Sequence, residues 1–272
     1  MQLHYDLVSA AGATPTRRVV FLHGILGSGA NLRSHARRFV DARPPWQAVL
    51  VDLRAHGRSL GTDGRPDTLE VAAADVVETL DALPSVPSVP LRAAVGHSFG
   101  GKVALQLASL VTLEHVVTLD SGPGTRLDAR GSEATLGVLQ MLAALRGPWD
   151  TRDAFLREVQ AAGQPLALAQ WLAMNLDRRD EGLFFRLDLS RIDALLRSYL
   201  ASDLWPVVEA TQAQVHLVIS GRSSVYVAED QARAHALEGA TQGRVTVDVL
   251  DAGHWVHVDD PDGVQRVLLQ RT

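Results

Sequence analysis

Short apolar runs with little polar alternation recur along the chain: Leu3–Val8, Arg18–His23, Ala48–Leu53, Arg92–His97, His115–Asp120, Gln214–Ser220 and Arg244–Leu250. Runs rich in Val, Leu and Ile that do not alternate suit parallel strands covered on both faces. Helix-like stretches lie between them. Ser28 is placed to cap a segment through Val40, Asp67 to Leu83 reads as a helix stopped by Pro84, and Phe99 to Leu110 follows the fourth run directly. Glu229–Leu237 and Pro261–Leu269 come late, the last with a proline in its first turn, where a missing N–H costs nothing. Strand–helix alternation of this kind predicts a doubly wound, mostly parallel α/β sheet. Right-handed crossovers then gather the C-terminal ends of the strands along one rim, where ligands bind.

One stretch breaks the alternation. Residues 122–212 carry little strand signal. Leu136, Leu139, Leu142 and Leu145 form an apolar band, and Asp153–Ala162, Pro165–Leu176 and Arg191–Leu200 also read as helices. Trp149, Trp171 and Trp205 fall here, beside Phe155, Phe184 and Phe185. The expected organisation is therefore a core of residues 1–121 and 213–272, with 122–212 inserted as a helical cap over the rim. The competing reading is a small helical domain with a core of its own. Pro84 to Pro90 reads as a short, stiff surface connector.

Composition narrows the chemistry. The 272 residues include 26 Lys and Arg against 31 Asp and Glu, a formal net charge of −5. That balance argues against a general nucleic-acid binder, which needs a basic surplus to displace counterions. There is no cysteine, which removes disulfides, thiolate nucleophiles, Cys-ligated zinc and iron–sulfur clusters together. Met1 to Ala11 lacks a basic start followed by an apolar block, and no apolar run approaches the ~18 residues that span a bilayer. A soluble cytoplasmic protein without a membrane span is expected.

The strongest local signal is Gly96-His97-Ser98-Phe99-Gly100-Gly101, at the junction of an apolar strand and a helix. In that context a G-x-S-x-G sequence makes a tight turn that pushes the Ser98 hydroxyl out of the rim, the glycines leaving room for neighbouring backbone. A serine hydroxyl needs a base. His254, in Asp251-Ala252-Gly253-His254-Trp255 after the last strand, returns to the same rim, whereas His257 reads as structural, His97 as packing inside the elbow, and His23 and His56 as loop braces. No H-E-x-x-H or similar spacing supports a metal site. The base needs a carboxylate to fix its tautomer. The strand after the insertion ends Ile219-Ser220-Gly221-Arg222-Ser223-Ser224, without one, so Asp120 at the end of the preceding strand is the candidate, with Asp230 or Glu229 as fallback. Asp120 could also simply cap the turn at Ser121-Gly122. The expected oxyanion donors are the Phe99 amide and, from the loop His23-Gly24-Ile25-Leu26-Gly27-Ser28, the amide of Ile25 or next of Leu26.

These blocks resemble the α/β-hydrolase superfamily over nearly the whole chain: Phe21–Ser28 (FLHGILGS), Asp52–Ser59 (DLRAHGRS), Gly96–Lys102 (GHSFGGK) and Ala252–Asp262 (AGHWVHVDDPD). The second and fourth are most similar to YbfF-type serine esterases and their mitochondrial relatives. That resemblance implies a triad acid after the strand His115–Asp120, at Asp120, and a supporting hydrogen-bonding role for Ser224. It differs in having Phe99 where relatives often have Met. The function implied is cofactor-free cleavage of a small-molecule ester or thioester with an apolar acyl group, through an acyl-enzyme. Trp149, Phe155, Trp171, Phe184 and Trp255 are candidates for the substrate pocket, with Leu26 beside them. Other readings are a menaquinone-pathway lyase-type member, a carbon–carbon-bond hydrolase or cofactor-free perhydrolase, and a non-catalytic ligand-binding protein on the same fold.

Overall fold

The computed structural model describes residues 1–83 and 89–272, so most of the Pro84–Pro90 connector lies outside the described residues. Seven strands form one sheet: β1 (Tyr5–Ser9), β2 (Arg17–Leu22), β3 (Trp46–Val51), β4 (Leu91–His97), β5 (His115–Leu119), and, after the insertion, β8 (Gln214–Ser220) and β9 (Val245–Leu250). The order is β1-β3-β2-β4-β5-β8-β9, all parallel except β1, which runs antiparallel to β3 at one edge. The chain passes from β2 outward to β3 and then returns to β4 on the other side of β2. The order therefore reverses between β2 and β4, and a crevice opens there at the strand C-termini.

The non-alternating runs are explained by burial on both faces. Val19 and Phe21 of β2, Ala48 and Leu50 of β3, and Val117 and Leu119 of β5 pack on one side. There they meet Ala36, Phe39 and Val40 of α1 (Arg33–Ala42) and Val264, Val267 and Leu268 of α11 (Pro261–Arg271). Val20 and Leu22, Val49 and Val51, and Val116 point to the opposite side. Their partners include Ala72, Ala73 and Val76 of α2 (Leu69–Asp81) and Val103, Leu105 and Leu107 of α3 (Phe99–Ala108). The period of two along each strand sends successive side chains into different layers, and both layers are apolar. Thr68 caps α2, its hydroxyl accepting the Val71 amide at 3.3 Å. The segment after Ser28 begins with a 3₁₀ turn, Gly29–Leu32, before α1.

Between β5 and β8 lie α4 (Glu133–Ala144), α5 (Arg152–Ala161), α6 (Leu166–Leu172), α7 (Leu189–Ala201) and α8 (Trp205–Ala210). The insertion is not wholly helical, as the sequence had suggested. Leu176–Arg179 (β6) and Gly182–Phe185 (β7) form an antiparallel hairpin, and Trp149 pairs with Leu183 as a further bridge. β6 is charge-rich and the hairpin lacks β-branched residues, so apart from Phe184 and Phe185 propensity gave little sign of it. Backbone pairing, and Gly182 at φ +139°, hold it instead. The remaining helix, α9 (Ala228–Ala240), covers the sheet beside β9, and α10 (Val256–Asp259) is a short turn before α11.

Candidate active site

Ser98 occupies the sharp junction of β4 and α3, with φ +50° and ψ −119°. A non-glycine residue held there stores roughly 1–3 kcal/mol of backbone strain. The surrounding glycines are obligatory: a Cβ on Gly96 would overlap the Gly100 carbonyl, and one on Gly100 would overlap the Leu22 carbonyl of β2. The Ser98 amide is tied to the Leu119 carbonyl of β5 at 3.0 Å, which fixes the turn between two central strands.

His254 arrives from the loop after β9. Its Nε2 lies 3.0 Å from Ser98 Oγ and its Nδ1 2.8 Å from Asp120 Oδ2. The His254 backbone is anchored by His97, whose Nε2–H donates to the His254 carbonyl at 2.8 Å. Asp120 follows β5 with φ +46° and is fully buried. Its Oδ1 accepts the Ser220 amide at 3.2 Å, so both carboxylate oxygens have partners. With Asp120 holding the Nδ1 proton, Nε2 carries the free lone pair that faces the serine hydroxyl.

The fallback acids lie elsewhere. Asp230 is buried against Arg126 and accepts the Trp205 indole N–H at 3.0 Å, a structural ion pair; Glu229 is exposed and stands 3.8 Å from Arg130. Ser224 does not hold the supporting position the resemblance implied. It is exposed, and its backbone packs against Gly131. The hydrogen bond that steadies the acid comes instead from the Ser220 amide, which no side-chain pattern could reveal.

The loop after β2 is held by the DLRAHGRS block. The Leu26 amide donates to His56 Nε2 at 2.9 Å, so Leu26, the alternative oxyanion donor, is already engaged. Among the described residues the Ile25 and Phe99 amides have no protein acceptor; Phe99 follows Ser98 in the chain, and Ile25 lines the same cavity as Ser98. Asp52 accepts the Gly29 and Arg58 amides, each at 2.8 Å, and a Cβ on Gly57 would overlap its carboxyl group. His23 Nε2 accepts the Leu53 amide at 2.9 Å while its Nδ1–H donates to the Gly24 carbonyl at 2.8 Å. Burial pushes His23 down to about 4 and His56 to about 3, so both rings stay neutral and one nitrogen of each remains an acceptor. The sequence reading of these two histidines as braces holds. Asn175, from the insertion, grips the same loop from above, its side-chain amide donating to the Leu26 carbonyl at 2.9 Å.

Over Ser98 and His254 lies a cavity of about 670 Å³. Ile25, Leu26, Trp171 and Trp255 line it, the two indole rings 5.3 Å apart. Trp149, Phe155 and Phe184 do not. Trp149 is buried edge-on to Phe155 at 4.9 Å with its N–H on Glu158, Phe155 is fully enclosed, and Phe184 stacks under the Arg179 guanidinium at 4.7 Å. Trp149 and Phe155 form inner packing of the insertion, whereas Phe184 is half-buried on the outside of the hairpin. The roof comes instead from Ala134 and Val138 of α4, Ala167 and Leu168 of α6, and Val258. Positions 134, 137 and 138 share a helical face of small residues one step round from the leucine band, the one signal that pointed there.

Lys102, also in the elbow block, is fully buried. Its ammonium donates to the carbonyls of Gly124, Tyr199 and Ser202, each at 2.8 Å, and lies 4.6 Å from the Tyr199 ring centre. Burial and the nearby Arg126 push it down to about 7, while three carbonyls reward the three-donor ammonium form. The residue ties α3 to both stems of the insertion. No helix among the described residues is long and apolar enough to cross a membrane.

The switch-point crevice, the strained serine turn and the β5 carboxylate belong to a known class. Residues 19–267 match the alpha/beta hydrolase family, and the chain belongs to it. Among individual relatives, the chain is 30% identical over 267 residues to an "sn-1-specific diacylglycerol lipase ABHD11" of Xenopus tropicalis, covering 95% of this chain and 78% of that one. It is 29% identical to "Esterase YbfF" of Escherichia coli (strain K12) over 98% of both. A solved structure titled "Marine microorganism esterase" superposes with a TM-score of 0.81, covering 100% of this chain and 99% of that one, at 20% identity. That last likeness is one of fold.

Proposed function

We propose that the protein is a serine esterase in which Ser98, His254 and Asp120 form the catalytic triad and residues 122–212 act as a lid. The observation that carries the reading is the hydrogen-bonded series from Asp120 through His254 to Ser98, beneath a largely apolar cavity. The names of the full-length relatives, an esterase and a diacylglycerol lipase, favour an ester as substrate.

In this mechanism Ser98 Oγ attacks the carbonyl carbon while His254 Nε2 takes its proton, and Asp120 stabilises the imidazolium. The carbonyl oxygen becomes an oxyanion and accepts the Ile25 and Phe99 amides. Each such donor is worth ~2.7–4 kcal/mol in the transition state. His254 then protonates the leaving alcohol or thiol as the carbon–oxygen or carbon–sulfur bond breaks, which leaves an acyl group on Ser98. A water then gives a proton to His254 and attacks the acyl carbon; the bond from that carbon to Ser98 Oγ breaks, His254 returns the proton to Oγ, and the acid leaves. The rings of Trp171 and Trp255, with Leu168 and Val138, accommodate an apolar acyl chain.

The test is labelling by a fluorophosphonate together with hydrolysis of nitrophenyl esters and acyl thioesters of increasing chain length. The wild type should label and hydrolyse, and Ser98→Ala should do neither. An unreactive wild type would instead favour a ligand-binding protein on this fold.

A further inference from the structure

A second cavity, of about 250 Å³, shares four lining residues with the first: Leu26, Gly27, Asn31 and Trp171. Its chemistry is different. Arg58 and Arg186 both line it, and among the described residues neither guanidinium has a carboxylate within ion-pairing distance. Arg186 is half-buried on the strand of chain leaving β7. Its amide is fixed to the Asn175 carbonyl at 2.9 Å, yet its Nε is buried without a partner. Arg58 is exposed at the cavity mouth, and its Nη1 touches only His4 Nε2, at 3.3 Å. Most other arginines of the protein are occupied: Arg54, Arg65, Arg126, Arg191 and Arg233 all hold carboxylates.

The two acids on the cavity wall are themselves satisfied. Asp52 is capped by two backbone amides, and Asp6 pairs with Arg33, its other oxygen 4.0 Å from His4 Nε2. The wall therefore offers two uncommitted guanidiniums beside an apolar patch of Trp171 and Met174. A guanidinium presents a planar fork that matches carboxylate and phosphate oxygens, and an unpaired one in a partly dry site gains most from an anion.

We propose that this cavity is a substrate subsite that receives an anionic group, a carboxylate or a phosphate, of an ester whose carbonyl is held at Ser98. The proposal rests on the esterase reading and extends it. Arg58 stands on the loop that braces the oxyanion donors, and Arg186 on the insertion next to Asn175. An anion bridging the two would draw the insertion onto that loop while the ester reacts next door.

The experiment compares matched substrates in the wild type, Arg58→Gln, Arg186→Gln and the double variant. One pair places the charge on the acyl side, a nitrophenyl pentanoate against the mono-nitrophenyl ester of the five-carbon diacid. The other places it on the alcohol side, a butyrate ester of glycerol against that of glycerol 3-phosphate. The wild type should favour the anionic member of one pair by tenfold or more in KM, the size of one charge-assisted hydrogen bond. Which pair responds identifies the source of the anion. Each single variant should lose part of that preference, the double variant should lose all of it, and the neutral esters should be hydrolysed as before. Equal handling of both members in both pairs, or equal losses on neutral and anionic esters, overturns the proposal. Calorimetric titration with inorganic phosphate and with glutarate separates the two readings. Binding by the wild type that is absent in the double variant, without hydrolysis of any ester, would retain the anion subsite and discard the esterase. Ester hydrolysis with no anion preference and no binding would do the reverse.

Discussion

Replacing Asp120 by Asn tests the triad with the least disturbance, because the surroundings dictate how the new amide must sit. Oδ1 accepts the Ser220 amide and Oδ2 accepts His254 Nδ1–H. In the variant the amide oxygen has to remain on the Ser220 side, where an acceptor is required. The NH₂ group then faces His254 and donates to Nδ1. The imidazole must move its proton to Nε2, which now points a donor, not a lone pair, at Ser98 Oγ. The base is lost although every heavy atom stays in place. Loss of the correct tautomer in a triad of this kind costs ~10⁴ in kcat, or about 5 kcal/mol of transition-state stabilisation. Stability should change by no more than about 1 kcal/mol, since the buried side chain remains fully hydrogen-bonded. The assay is kcat on a neutral nitrophenyl ester with a thermal melt alongside, and Asp230→Asn as the control. That second variant strands Arg126 and should cost ~3–5 kcal/mol of stability while the folded fraction keeps its kcat. If Asp120→Asn retains more than a tenth of wild-type kcat while folded Asp230→Asn is inactive, the assignment of the acid fails.

Three further outcomes are expected. His23 and His56 ionise near 6.5 when unfolded but only at about 4 and about 3 in the fold, so the unfolded chain binds the extra protons between those values. Their contribution is complete above pH 6.5 and drains as pH falls toward 4; the melting temperature should drop over that window, and less steeply in His56→Gln. A melting temperature flat across it would contradict the neutral-acceptor role. Lys102→Met leaves three buried carbonyls unpaired at ~1–3 kcal/mol each and should lower the melting temperature by well over 5 °C; an unchanged melt would mean the ammonium contributes nothing net. Trp171→Ala widens the cavity between the two indoles and should shift the preferred acyl chain to greater length with little loss of kcat on short esters; an unaltered chain-length profile would move the acyl pocket elsewhere.

The sheet was legible because its strands are apolar on both faces: Val19–Leu22 serves two layers at once and leaves no other reading for so short a run. The serine turn was legible because steric demand narrows Gly96 and Gly100 to one residue type. Asp120 was reached by elimination, from a strand end that lacked a carboxylate, and by resemblance. The insertion was harder. Aromatic residues mark packing wherever it occurs, and Trp149 and Phe155 pack inward while Trp171 faces the cavity, a difference set by tertiary contacts and not by residue type. The hairpin of β6 and β7 is stabilised by backbone pairing that charged side chains conceal. Ser224 shows the hazard of carrying a role over by position, since it is exposed, while Asp120 takes a hydrogen bond from the main-chain amide of Ser220.

The peptide group of Leu26 is clasped at both ends, its N–H by His56 below and its oxygen by Asn175 above. Displacing the insertion would break the upper bond and leave the lower one in place. If the proposed lid opens, loss of that hold on the loop and exposure of the cavity would be a single event. A foreign insertion grafted onto this sheet would need to bring an amide donor to that spot for the loop to stay held from both sides.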